Sequence, residues 1–383
     1  MKQWQTAVWY GCSNFASLPF RFKHLTQLVK LTPGLNGTSL RLVLMNRYGD
    51  QNLVFNQVMV ADNPEMTQAV RVTINGQREL TIPRGQVVRT DPVRVASVAD
   101  QPLYVMMVAS RSQRYADFNS TYDPTLANAI YSQALHFRPQ LPTGDHARKG
   151  WFCLAGMEVL SGEHPLVVEL TGDSLAEMGL VATSLVARLR RQLNRHVVLC
   201  NTAISGSRLL HGASNDEPLY ATFGDSLISR IAGESFPVDL VVALIGSNDL
   251  LLPFWSRDAQ LPTAKQLVDG FDRLNQLVHR RGSDLITTTI PPVGLHLAND
   301  QRRTSRHVAA IRHQVNRQLA TRPFVFEVEP LIATNGAWQP GADFGDQLHY
   351  SASGANLVAS AILSRIDDKM SLLKSDVKKD NGE

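Results

Sequence analysis

The hydrophobic rhythm of this 383-residue chain changes near residue 165, and that change constrains the fold more than any other feature. Before it, residues 38–110 alternate at period two. Leu40, Leu42 and Leu44 interleave with Arg41, Val43 and Met45, and Val70, Val72 and Ile74 with Arg71 and Thr73. Successive side chains of a strand point to opposite faces, so the pattern predicts half-buried antiparallel strands. Asn75-Gly76 supplies a hairpin turn, since both central residues of a type I′ turn take positive φ. Short strands are also expected within 87–98 and 102–110, and many short strands between turns predict a β-sandwich. Residues 111–150 read as a polar, irregular connection. Beyond 165, apolar runs at 166–170, 196–201, 238–246, 284–290 and 324–329 alternate with amphipathic segments of helix length. Strands apolar on both faces with helices between them predict a parallel sheet in a βα-repeating unit. Ligands of such sheets bind beyond the carboxyl ends of the strands.

A chain of this length exceeds the usual size of one core, so two domains are expected. The division predicted is 1–161 for the sandwich and its connection, 162–370 for the α/β domain and 371–383 for a charged, flexible tail. WFCLAGMEVL (151–160), at the junction, is assigned to the sandwich. The net charge is +4, but the cations are scattered over RLRRQLNR (188–195) and QRRTSRH (301–307) without interleaved aromatics, so no nucleic-acid partner is expected. Cys12, Cys153 and Cys200 are odd in number and far apart, which reads as small apolar groups in a reducing compartment. No apolar run suits a signal-peptide core or a membrane span, so the expected location is cytoplasmic, with no membrane partner.

The tetrapeptide Gly-Asp-Ser-Leu occurs twice, at 172–175 and 224–227. The first copy follows an apolar strand and opens a helix, which puts Ser174 at the edge where ligands bind, with its N–H near the positive end of a helix dipole. The second lies in a helical pattern formed by Leu219, Phe223, Leu227, Ile228 and Ile231, so Ser226 is expected mid-helix and inert. Three further segments emerge after later strands: AISGSRLL with Gly206, LIGSNDLL with Asn248, and DQLHYSASG with Asp346 and His349.

These blocks in this order resemble the SGNH (GDSL) hydrolase superfamily of esterases and acylhydrolases over about residues 165–367. SLRLVLMNRYGD (39–50), GWFCLAGMEV (150–159) and SGSRLL (205–210) also resemble a subgroup that carries an N-terminal β-sandwich, some of whose members are attached to plant-polysaccharide deacetylation while others are acyltransferases. The resemblance implies an α/β fold: a flavodoxin-like three-layer SGNH hydrolase domain preceded by an all-β, jelly-roll-like sandwich. It implies Ser174 as nucleophile, His349 as general base, Asp346 as its orienting carboxylate, and an oxyanion hole of Ser174, Gly206 and Asn248. Tyr350 stands where the family commonly has Pro.

The residue types suit that chemistry. A Ser hydroxyl needs a base to take its proton as it attacks a carbonyl, and neutral imidazole serves near pH 7. A DxxH spacing lets one loop present both the imidazole and the carboxylate that fixes its tautomer. His164, His196, His307 and His313 lack this context. Asp173 and Asp249 read as organisers or helix caps, and Arg208 as a substrate contact or a salt-bridge residue, both left open. No GxSxG, HExxH, Walker or GxGxxG motif occurs, and no cofactor or metal is implied. The expected activity is hydrolysis of a short acyl ester, with an O-acetyl carbohydrate or another small molecule as substrate. Acyl transfer by the same residues, or a binding protein with a vestigial site, are the alternatives. For the sandwich, a purely structural role and a carbohydrate- or partner-binding role both stay open. LLPFWSRD (251–258) and PPVGLHLAND (291–300) are expected at the active edge, as pocket walls or as packing against the sandwich.

Overall fold

The computed structural model describes residues 2–134, 139–144, 147–193, 195–233, 237–257, 260–293 and 302–380, with only the backbone path given for 302–305 and 367–380. One nine-stranded sheet runs through both halves of the chain. Its order is Gln86–Arg89, Leu40–Asn46, Leu154–Ser161, Gln3–Tyr10, Val197–Asn201, Leu166–Gly172, Leu240–Leu244, Asp284–Thr288 and Val325–Phe326. The first four strands pair antiparallel. The last five pair parallel. Numbered along the chain, those five lie in the order 2-1-3-4-5 of a flavodoxin-like sheet, whose switch point falls between the first and third.

Strand alternation builds three layers here. Val242 and Leu244 face a core shared with helices Leu180–Gln192 and Ala352–Asp380. Val241 and Ala243 face the other side, against Leu227–Gly233, Ala264–Arg280 and Arg302–Leu319. The closing helix continues to Asp380, through most of the segment expected as a tail.

In the front half a second sheet, ordered Ala127–Ser132, Leu25–Leu31, Leu103–Ala109, Gln57–Ala61 and Val70–Arg71, faces the antiparallel strands. Leu40, Leu42 and Leu44 meet Val29, Val58, Val105 and Met107 in one buried core, as the period-two pattern requires. Asn75 and Gly76 take φ of 51° and 75°, and Ile74 and Gln77 exchange both backbone hydrogen bonds across the turn. The segment at 151–160 lies on the sandwich side. Leu154–Ser161 pairs with Gln3–Tyr10 and with Leu40–Asn46.

Residues 111–150 correct the sequence reading. They contain strands Gln113–Tyr115, Asp117–Thr121, Ala127–Ser132 and part of Lys149–Phe152. The apolar period is missing because the buried side chains at Asp117 and Asn119 are polar. Asp117 accepts from the amides of Arg47 and Tyr48, and Asn119 donates to the carbonyls of Tyr10 and Gly11, so hydrogen bonds offset their desolvation.

The halves also share packing. Gln3–Tyr10 joins the parallel sheet through Trp9 opposite Cys200 and Tyr10 opposite Asn201, and Val198 and Cys200 pack into the sandwich core. Among the described residues, no helix is long and apolar enough to cross a membrane.

Candidate active site

Ser174 lies at the switch point, where the first parallel strand gives way to the short helix Ser174–Glu177. The turn needs glycine. Gly172 has φ of 123°, and a Cβ there would sit 1.8 Å from the Leu244 carbonyl oxygen on the neighbouring strand. Asp173 caps the helix, its Oδ1 accepting from Leu175 N at 3.0 Å. As first residue of a helix, Ser174 has no carbonyl one turn back, and among the described residues its N–H is not taken.

The loop ahead of the last helix brings the imidazole to this turn. Asp343 accepts from the amides of Gly345 and Gln347, and Phe344 N donates to His349 O, which closes the loop on itself. Asp346 Oδ1 accepts from the amides of Leu348 and His349, while Oδ2 lies 2.6 Å from His349 Nδ1. Burial pushes the Asp346 carboxyl up, but the bonds from the His349 ring and amide outweigh it and hold the group below its ordinary value. An ionised carboxylate only accepts, so Nδ1 carries the proton and Nε2 presents its lone pair. Nε2 lies 2.7 Å from Ser174 Oγ.

Gly206 and Asn248 come from the next two loops. Ile204, Ser205, Gly206 and Ser207 form a turn closed by Ser207 N donating to Ile204 O at 3.0 Å. Gly206 takes φ of 80° there, and a Cβ would lie 2.2 Å from the Phe223 ring. Asn248 donates from Nδ2 to Ser207 O at 3.1 Å, leaving a second amide hydrogen for the site. Asp249 ties the same loops together by accepting from the amides of Leu209 and Leu210 at 2.7 and 3.0 Å. Burial pushes Asp249 up to about 6. Arg208 is buried and donates to Gly212 O, which places it in the scaffold of this loop.

Two residues stand out here that the sequence reading passed over. Arg230 donates to Thr202 O at 2.6 Å, Gly172 O at 3.1 Å and Ser207 Oγ at 3.2 Å, so one guanidinium braces the segments leading to Ser174 and Gly206. Glu177, three residues after Ser174, binds Ser205. The signal for Glu177 was a lone carboxylate within an apolar helical stretch. Arg230 belongs to the helix that follows the second Gly-Asp-Ser-Leu, which corrects the reading of that copy. Gly224, with φ of 72°, breaks the expected helix, and Ser226 precedes Leu227–Gly233 rather than lying in its middle. Its hydroxyl accepts from Ser229 N, which is a cap.

Of the loops expected as pocket walls, Ser247–Leu251 and Leu252–Phe254 form two short helices after the third strand. Asp258 and residues 294–300 lie outside the described residues. Tyr350 is buried against Trp338 in the core of the α/β half. The three cysteines are buried, and no disulfide joins them. Among the described residues, no group of three or more His, Cys, Asp or Glu could hold a metal ion.

Two predictions arise from this geometry. If Asn248 has the oxyanion role that the resemblance implies, Asn248→Ala is expected to lower turnover by roughly 10²–10³ with KM nearly unchanged, since that charge develops only in the transition state. Steady-state kinetics check it, and a change confined to KM would make Asn248 a substrate-binding group.

The second concerns Asp173, which burial, opposed by the Leu175 amide and aided by Asp249, pushes from 3.8 to about 7. The folded chain then holds a proton that the unfolded chain releases above about pH 4. Stability should therefore fall as pH rises from about 4 to about 7, by an amount on the order of a few kcal/mol. Asp173→Asn keeps the cap acceptor without the charge, so its melting temperature should decline less between pH 5 and pH 8. Parallel declines in the two proteins would mean that Asp173 titrates normally.

Residues 170–357 match the GDSL-like lipase/acylhydrolase family. No curated protein gave a match. Among solved structures, a GDSL-like lipase from Bacteroides thetaiotaomicron is similar at 13% identity and a TM-score of 0.39, over 53% of this chain and 89% of that one. A psychrotrophic esterase from Pseudoalteromonas sp. is similar at 15% identity and a TM-score of 0.35, over 54% and 99%. A carbohydrate acetylesterase family member from Sinorhizobium meliloti is similar at 17% identity and a TM-score of 0.34, over 51% and 93%.

Proposed function

We propose that this chain, whose residues 170–357 match the GDSL-like lipase/acylhydrolase family, is a serine esterase that cleaves a short acyl ester through an acyl-enzyme. The observation that carries the reading is the relay of two short hydrogen bonds, Ser174 Oγ to His349 Nε2 at 2.7 Å and His349 Nδ1 to Asp346 Oδ2 at 2.6 Å. Ser174 Oγ attacks the ester carbonyl while its proton passes to Nε2. Asp346 holds the tautomer and stabilises the imidazolium. The carbonyl oxygen becomes an anion and takes hydrogen bonds from the N–H groups of Ser174 and Gly206 and from Asn248 Nδ2. His349 then returns the proton to the departing alkoxide, and water enters by the same route in reverse to release the acid.

The substrate class we propose is an O-acetyl group on a sugar, which rests on the resemblance of the front half to the sandwich-bearing subgroup. Acyl transfer to an alcohol would use the same steps, with the alcohol in place of water. A fluorophosphonate probe and a panel of p-nitrophenyl esters and acetylated sugars test the proposal. The expected result is labelling at Ser174 and release of acetate. An unlabelled, inactive protein would leave a binding role, and acylated alcohols among the products would mark a transferase.

A further inference from the structure

We propose that Glu177 is a positioning residue for the oxyanion site, coupling the front-half strands to the loop that carries Gly206. The inference rests on the ester-hydrolysis reading above. Glu177 shares the helical turn of Ser174 and is 4% exposed. Its Oε1 accepts from Ser120 Oγ at 2.8 Å, and its Oε2 accepts from both the amide, at 3.1 Å, and the hydroxyl of Ser205. Ser120 lies on the front-half strand Asp117–Thr121. It also accepts from Nε and Nη2 of Arg148, and that Nη2 stands 3.9 Å from Glu177 Oε1.

A carboxylate this buried is tolerated when hydrogen bonds fill its lone pairs, and here both oxygens are occupied. The consequence falls on the next residue. Ser205 is held at its amide and its side chain, so the orientation of the peptide that ends in the Gly206 N–H depends chiefly on one backbone torsion. Closure of the turn through Ser207 N and Ile204 O restricts that torsion as well. An oxyanion donor stabilises charge only where it is aimed, and a misplacement of about 1 Å can cost on the order of 100-fold. The front half thus braces the hole through one buried side chain, without touching substrate.

A merely structural carboxylate would give lower melting temperature with unchanged kinetics, so the test reads catalysis and stability separately. Glu177→Ala, Glu177→Gln and the wild type are assayed on p-nitrophenyl acetate and titrated with phenylboronic acid, whose adduct on Ser174 places an oxygen in the hole. Glu177→Ala is expected to lose roughly 10- to 100-fold in kcat with KM within about twofold, and to lose boronate affinity in parallel. Glu177→Gln keeps an oxygen for Ser205 but turns an amide donor toward Ser120, whose oxygen already accepts twice from Arg148, so it should recover only part of the loss. Unchanged kcat and boronate affinity, or a loss seen only in KM, would overturn the proposal. If Glu177→Ala does not fold, Ser120→Ala and Ser205→Ala decide. A loss of about threefold or more in kcat at fixed KM supports the coupling, and wild-type kcat in both overturns it. An inactive wild type would instead remove the hydrolase reading, and this inference with it.

Discussion

Ser174→Ala is expected to abolish esterase activity, with a loss on the order of 10⁶ in turnover, while Ser226→Ala leaves turnover nearly unchanged. Both serines stand in the same tetrapeptide, so the contrast tests tertiary placement rather than local sequence. Ser174 Oγ has an imidazole nitrogen at 2.7 Å to take its proton. Ser226 Oγ has Ser229 Oγ at 2.9 Å and the Ser229 amide at 3.2 Å, and neither is a base. Losing Ser226 should instead cost about 1 kcal/mol of stability, the usual effect of an N-cap removed. Turnover on p-nitrophenyl acetate and a urea titration of each variant separate the two effects. Activity retained in Ser174→Ala would dismiss the Ser174–His349 relay as the engine of the reaction.

A fragment beginning near residue 162 is expected to aggregate, with turnover at least about 100-fold below that of the full chain. The cut would pass through a continuous sheet. Val197–Asn201 would lose its neighbour Gln3–Tyr10 and become an open edge, and Gly11 N would no longer donate to Asn201 O at 2.7 Å. Val198 and Cys200, both fully buried among sandwich residues, would face water. Met178 O would lose the amides of Tyr122 and Asp123, each at 3.0 Å, directly behind the helical turn of Ser174. Glu177 would lose Ser120 and Arg148. Solubility, melting and turnover of the fragment check the expectation. A soluble fragment with a cooperative melt and full turnover would make the front half a tethered module, whose role only binding measurements could reveal.

The parallel-sheet half was legible because its strands bury apolar residues on both faces and its helices keep the amphipathic period. Once a strand at 166–172 is followed by a helix, the βα rule places Ser174, Gly206 and Asn248 at one edge. The front-half strands between 113 and 152 were hidden by the buried polar chemistry of Asp117, Asn119 and Ser120, which carries no hydrophobic period. Ser226 was misread because the spacing of Phe223, Leu227 and Ile231 fits a helix, while the break depends on the backbone at Gly224.

By itself, then, the sequence determined the two rhythms of the chain, the order of its four reactive blocks and which Gly-Asp-Ser-Leu follows a strand. All of these are properties of residues near one another in the chain, set by side-chain direction and turn chemistry. Only the tertiary structure decided that one sheet runs through both halves, that Arg230 braces two active-edge segments, and that Glu177 is shared by Ser120 and Ser205. Those contacts join residues 23 to 58 positions apart, and some lie across strands more than 180 positions apart. The free energy of such contacts depends on desolvation and alignment at the place where they meet, and no local pattern in the sequence encodes that place.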